Sequence, residues 1–335
     1  MSPRTAAMEE MLARNGLVDA GREPLPGDAS FRRYVRLRAR GHSVMLMDAP
    51  PEHENVRNFV LIARHLEALG LSAPRVLDVD EVHGLALVED LGETTFTRLL
   101  DGGADPEPLY DLAVDVLVAL HEHPRAKAID VPVFDRPILL DGVATFVEWW
   151  WPAATGRTPS APVVEAWSEA WRQALAVVDT AIPRTLVLRD FHVDNLMRLE
   201  GRSGVAGCGL LDFQDALIGP APYDLVSLAE DARRDLDPAL RRRITARYLD
   251  ARPDVDRAAF AASSAVLAAQ RHARVIGVFT RLWQRDGKPG YLRHLPRLWS
   301  LFEARLAEPP LAPVANWVET NVPRSLRGAL PEAAA

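Results

Sequence analysis

Short apolar runs bounded by turns, with two helical stretches among them, make up the N-terminal quarter of this chain, and from Phe96 on the apolar positions return with the period of a helix. Residues 6–15 open it with a helical stretch whose Ala7, Met11 and Leu12 share one side. Leu25 to Leu37 reads as strand, glycine turn and strand, with Gly27, Asp28, Ala29 and Ser30 in the turn. Ser43 to Asp48 is a third strand after a turn at Ala39 to Gly41. Glu54 to Gly70 predicts an amphipathic helix, because Val56, Phe59, Val60, Ala63 and Leu66 fall on one face and Gly70 can cap its end. Arg75–Val79 and Leu85–Glu89 follow as a hairpin turning at His83 and Gly84. Beyond this β-β-β-α-β-β order, Leu109–His121, Pro162–Ile182 and Ala258–Gln284 carry helical periodicity. Pro152–Pro162 reads as a loop of small residues and proline, and Val322–Ala335 as a weakly ordered tail.

With 335 residues, 48% of them apolar and 25% charged, the chain has an ordinary globular composition and enough length for two cores. A formal charge of −7 and the absence of any Lys/Arg run of five or more argue against nucleic acid as a partner. Cys208 stands alone, which excludes an intrachain disulfide and a zinc site built from cysteines. The N-terminus lacks a basic segment followed by an apolar core, and no long apolar window occurs. The expectation is a cytoplasmic protein with no membrane partner, acting as a monomer. Lys127 and Lys288 are the only lysines, so nearly every fixed positive charge is a guanidinium.

The stretch LVLRDFHVDNLM, followed by a short insert and CGLLDFQDA, places Asp190, Asn195 and Asp212 around two short apolar strands. Polar turns are rich in Asp and Asn for local reasons, so a bare D-x-x-x-x-N says little. The full set suits phosphoryl transfer. Asp190 can orient an acceptor hydroxyl and take its proton, while Asn195 and Asp212 offer hard oxygen ligands for the Mg2+ that neutralises phosphate charge. A P-loop is excluded, since Gly287-Lys288 is followed by proline and lacks the earlier glycine. The better phosphate site is LPGDASFRRY, where a turn holding Gly27 and Ser30 can aim backbone N–H groups at phosphate oxygens.

These residues together resemble the catalytic and metal loops of the aminoglycoside phosphotransferase and choline kinase superfamily, relatives of the protein kinases. His192 matches the histidine that follows that family's catalytic Asp, and Gly219, Tyr223 and Asp224 match its downstream G-x-x-x-x-D-L segment. The resemblance implies an α+β, protein-kinase-like two-lobe fold: a small β-rich N-lobe over 1–88, a hinge over 89–93, a helical C-lobe over 94–321 and the tail 322–335. In it the hinge, through Glu89 and Leu91, pairs with the adenine of ATP. The chain departs from the family at Met47, where the third strand would carry a phosphate-binding lysine or arginine, and at Leu188, where an H-x-D histidine would stand. Two readings follow, a pseudokinase or an enzyme whose cation has moved. Retention of Asp190, Asn195 and Asp212 favours the second, with Arg32 or Arg33 beside the glycine turn, or Arg189 in the catalytic loop, supplying the charge.

Two segments can read the acceptor. In FVEWWW, Glu148 can hold hydroxyls and a tryptophan such as Trp149 can stack on a sugar, although three adjacent tryptophans cannot all point one way. In Ala268 to Leu292, Gln270, Arg274 and Arg281 share one helical face, which can equally be a solvated basic side. With VMLMDAPP and LPGDASFRRY, this segment is similar to the bacterial anomeric N-acetylmuramate/N-acetylglucosamine kinases of cell-wall recycling. That likeness implies phosphorylation of a sugar C1 hydroxyl by ATP, with a small amino sugar and a nucleotide as partners. Another aminoglycoside, choline or amino-alcohol phosphotransferase of the superfamily remains the alternative.

Overall fold

The computed structural model describes residues 3–27, 31–39, 41–178 and 182–329. Its first helix, α1 (Pro3–Arg14), clusters Ala7, Met11 and Leu12 with Leu37, Val44, Leu46, Leu85 and Leu87 of the following strands. Those strands are β1 (Gly21–Pro24), β2 (Arg33–Ala39), β3 (His42–Asp48), β4 (Val76–Asp80) and β5 (Leu85–Glu89). They form one antiparallel sheet in the order β1-β2-β3-β5-β4. Between β3 and β4 lies α2 (Val56–Ala68), which starts where the Asn55 side chain accepts the backbone N–H groups of Arg57 and Asn58. Its buried face is the predicted one, with Ile62 added.

The first strand is a correction. It covers Gly21–Pro24 rather than beginning at Leu25, and all four residues are exposed, so no alternation betrays it. Leu25 still donates its N–H to the Tyr34 carbonyl at 2.8 Å. Of the expected glycine turn, Asp28, Ala29 and Ser30 lie outside the described residues.

The helices α3 (Phe96–Asp101) and α4 (Pro106–Glu122) follow, capped by the side chains of Thr95 and Asp105. The chain groups into two compact units, Met1–Asp130 with Val193–Ala216, and Val131–His192 with Leu217–Ala335. In the second unit come α5 (Arg136–Thr145), a π-helical turn over Phe146–Trp150, α6 (Trp151–Thr155), α7 (Ala161–Leu175) and β6 (Arg184–Val187). The chain then returns to the first unit for β7 (Leu196–Arg198) and β8 (Cys208–Leu210). It re-enters the second for β9 (Leu217–Pro220), α8 (Pro222–Ala229), α9 (Pro238–Ala251), α10 (Arg257–Asp286), α11 (Leu295–Leu306) and α12 (Ala312–Asn321). The loop expected over Pro152–Pro162 is therefore partly helical. The helix expected to reach Ile182 stops at Leu175, and residues 179–181 lie outside the described set.

Aromatic packing sets the second core. Phe146 stacks on Trp150 and Trp167 at 4.7 and 4.9 Å between centroids, and Trp299, Phe302 and Trp317 surround them. Trp150 and Trp151 are buried, Trp149 is half-buried and Glu148 is exposed, so most of the WWW run is core. Among the described residues, no helix is long and apolar enough to cross a membrane.

Candidate active site

In the first unit, β7 and β8 pair antiparallel with Leu196 opposite Leu210, and the backbone carbonyl of Asn195 accepts the N–H of Leu211 at 2.9 Å. Asn195 precedes one strand and Asp212 follows the other, so both candidate metal ligands sit at the same end of the ribbon. Phe213, fully buried, stacks on Phe59 of α2 at 5.1 Å and fixes the loop beyond. Asp212 itself is held at φ 56°, in the left-handed region that non-glycine residues seldom occupy. Its exposed carboxylate accepts from Gln214 Nε2 and Arg32 Nη2, each at 3.0 Å. Two oxygen donors fit Mg2+, which is held by one or two carboxylate-type ligands and completed by phosphates and water. No group of three or more His, Cys, Asp or Glu that could hold a metal ion occurs among the described residues.

The arginines proposed to carry the displaced charge differ sharply. Met47 is fully buried, opposite Tyr34 on β2 and Ala86 on β5. Arg32, with its side chain only 9% exposed, lies between Asp212 and Glu54, its Nε 3.5 Å from Glu54 Oε2. Glu54 is in turn fixed by the backbone N–H of Phe31 at 3.0 Å. Arg33 is exposed at the start of β2, and Gly27 is exposed in the connection before it.

The linker is braced by Arg36, buried on β2. Its guanidinium reaches both oxygens of Asp90 and the carbonyl of Gly92, and pairs with Glu93. The Glu89 carboxylate is taken by Arg75 and Arg202, and its backbone N–H donates to the Arg75 carbonyl at 2.9 Å. Leu91 packs over Gly209: a side chain there would come within 3.0 Å of Leu91 Cδ1 and of Met197 Cβ.

In the second unit, β6 and β9 pair with Val187 opposite Leu217, and the chain turns sharply into Asp190. Asp224, fully buried in the first turn of α8, accepts the N–H groups of Leu188 and Arg189 at 2.6 and 2.8 Å, and Ser227 donates to the Arg189 carbonyl. This clamp holds Arg189 at φ 72°. Arg189 and Asp212 are the two non-glycine residues with positive φ among those described, a pattern of local strain that clusters at functional sites. Burial pushes the Asp224 carboxyl up to about 7, against the pull of those two N–H groups.

Burial would likewise raise Asp190. The guanidinium charges of Arg274, Arg271 and Arg189 outweigh it and hold Asp190 below the usual carboxylate range, so Asp190 is ionised at neutral pH. His192, 4% exposed, lies 3.4 Å from Arg233 Nη1, and burial lowers its pKa, so it is a neutral neighbour at physiological pH. Arg189 sets its guanidinium 5.8 Å from the centre of the Phe134 ring.

The face of α10 expected to read the acceptor, or else to be a solvated basic side, is packed at Gln270 and partly buried at Arg274 and Arg281. Gln270 is fully buried and donates to the Leu139 carbonyl at 2.9 Å, which ties α10 to α5 rather than to solvent. Arg271, which sequence reasoning missed, is 2% exposed and acts on Asp190, Asp224 and Asp231. Its place three residues before Arg274, hence on the same side of a helix, was the available signal.

A profile of the family described as phosphotransferase enzyme family matches residues 21–261. A curated Caulobacter vibrioides protein named N-acetylmuramate/N-acetylglucosamine kinase is 38% identical, over 97% of this chain and 99% of its own length. A Pseudomonas aeruginosa protein of the same name is 34% identical, over 86% and 84%. Among solved structures, a choline/ethanolamine kinase family protein from Mesorhizobium loti superposes with a TM-score of 0.63 at 16% identity, over 95% of this chain and 99% of that one. An ADP-bound aminoglycoside phosphotransferase, APH(2'')-Ib, does so at 0.61 and 14%, over 89% and 96%. The mixed architecture, a β-sheet N-terminal region followed by a helical part, is the kinase-like fold of those proteins.

Proposed function

We propose that this chain, which belongs to the phosphotransferase enzyme family, transfers the γ-phosphoryl group of ATP to the anomeric hydroxyl of N-acetylmuramic acid and N-acetylglucosamine. The products are the α-1-phosphates used to rebuild cell-wall precursors in the cytoplasm during peptidoglycan recycling. Relatives bearing that name over most of this chain's length support the acceptor class.

Asp190, held ionised, orients the acceptor hydroxyl and takes its proton. An anomeric hydroxyl is more acidic than an ordinary alcohol, so a carboxylate of low basicity suffices. Asn195 and Asp212 would hold Mg2+, which when bound neutralises charge on the phosphate oxygens. Arg32, beside Asp212, supplies the cation that Met47 cannot, with Arg33 and the backbone at Gly27 adding to the phosphate site. The backbone of Glu89 and Leu91 pairs with the adenine. Arg189 steadies the catalytic turn, and Glu148, Trp149 and Arg274 meet the sugar, with Gln270 locking α10 beneath them.

The observation that carries this reading is the arginine surround of Asp190. Such a surround suits a neutral or anionic sugar and repels a cationic aminoglycoside or choline. Purified protein assayed for ADP release should turn over with both N-acetyl sugars and stay at background with kanamycin and choline. Turnover of the amines alone would assign the alternative acceptor class, and no turnover with any acceptor, together with nucleotide binding, would make the chain a pseudokinase.

A further inference from the structure

We propose that Arg281 forms, with Arg274, a carboxylate subsite next to the acceptor hydroxyl, so that this chain reads the lactyl group of N-acetylmuramate and prefers that acid to neutral N-acetylglucosamine. The inference rests on the acceptor class proposed above and specifies which part of the sugar α10 recognises.

Arg274 and Arg281 lie two turns apart on one face of α10, about 10 Å along its axis, within reach of a common group for two long side chains. Between them, Gly277 is pressed against the end of α5: a side chain there would fall 2.4 Å from the Thr145 carbonyl. Thr145 donates its hydroxyl toward the Arg274 carbonyl at 3.2 Å, and the Arg274 stem crosses Gly142, whose missing Cβ would lie 3.2 Å from its Cδ. This contact brings α10 to the point where α5 gives way to the π-helical turn Phe146–Trp150.

Such turns are rare and concentrate at functional sites. Here the extra residue lets Phe146, Val147 and Trp150 all enter the core while Glu148 stays exposed and Trp149 half-buried. Glu148, Arg274 and Arg281 therefore belong to one neighbourhood. Asp286 is paired with Arg285 at 2.7 Å, and both Arg285 and Arg274 set their positive charge against that of Arg281. The Nε of Arg281 is buried without a hydrogen-bond partner. Burial, then Arg285 and Arg274, lower its pKa, and Asp286 and Glu148 only partly offset them. A bound carboxylate would satisfy that donor and relieve the repulsion. Arg274 is also the largest charge acting on Asp190, which connects this subsite to the reacting hydroxyl.

The test compares kcat/KM for N-acetylmuramate, its uncharged methyl ester and N-acetylglucosamine in the wild-type chain, Arg281→Gln and Arg281→Lys. Wild type should favour the acid over both neutral sugars. Arg281→Gln should lower kcat/KM for the acid by about 30-fold, the size expected of a lost charge-assisted hydrogen bond, while the neutral sugars change by no more than about threefold. Arg281→Lys should recover part of the loss on the acid. Equal losses on all three substrates would make Arg281 a structural residue and overturn the subsite, as would unchanged turnover of the acid. If the wild-type chain phosphorylates none of the three, the acceptor class itself is wrong, which sets that failure apart from failure of the subsite.

Discussion

Arg32 donates to Oδ1 of Asp212 at 3.0 Å, so the candidate phosphate cation and the candidate metal ligand are already in contact. In the proposed function the pair would supply the charge that Met47 lacks, with Arg32 braced from its far side by Glu54. Arg33 is exposed and Arg189 faces the Phe134 ring, so Arg32 is the one of the three in contact with Asp212.

Removing that cation should be felt in phosphate transfer. Arg32→Ala is expected to lose about 2–4 kcal/mol of transition-state stabilisation, seen as a fall in kcat/KM for ATP. Met47→Ala should leave the kinetics milder and act on the fold, at about 2–5 kcal/mol by denaturation, because it opens a cavity in the sheet core. Wild-type kinetics in Arg32→Ala would contradict the relocation.

Asp190 and Asp212 should fail differently. Asp190→Asn is expected to cut kcat by about 10² or more with nucleotide affinity nearly intact, since its role is toward the acceptor. Asp212→Asn should also weaken Mg2+-nucleotide binding, measured by calorimetry. The same pattern in both variants would remove the division of roles.

Much of this was legible in the chain. Short apolar runs between turns located β3 and β5, which are buried continuously over Val44–Met47 and Leu85–Val88, and the periodicity of α2 gave its buried face almost completely. Local spacing likewise placed Asn195 and Asp212 around paired strands. What stayed hidden depends on tertiary contact. The exposed edge strand β1 has no hydrophobic signal, and the π turn arises from fitting Phe146 and Trp150 into one core. Gln270 and Arg271 look solvated in sequence but are buried by α5 and the catalytic turn. The importance of Arg32 likewise emerges only when Asp212, far along the chain, is folded against it.

The pH profile should report the arginines around Asp190. With Arg274, the strongest of them, in place, the acidic limb of kcat lies below the ordinary carboxylate range. In Arg274→Gln the effect of burial is less opposed, the pKa rises, and the limb should move to higher pH. A profile that stays in place while activity falls would mean that Arg274 acts only through binding.

Away from the site, Glu230 should set acid stability. Burial alone would raise its carboxyl, but hydrogen bonds from His272, at 2.8 Å, and Arg305 pull it down to about 2 from an ordinary 4.5. Its contribution is therefore complete above pH 4.5 and lost as pH falls from there toward 2. Glu230→Gln should lower stability at neutral pH by about 3–5 kcal/mol, through the cation left buried, and flatten the acid dependence over that window. Thermal unfolding across pH checks both, and an unchanged acid limb in the variant would rule Glu230 out as its source.

The most direct test of the central claim is the position of the new phosphate. Phosphorus NMR of the product from N-acetylmuramate and ATP should show a phosphate coupled to the anomeric proton, and the 1-O-methyl glycoside, which has no hydroxyl for Asp190 to deprotonate, should not react. A product phosphorylated at C6, or turnover of the methyl glycoside, would contradict the account.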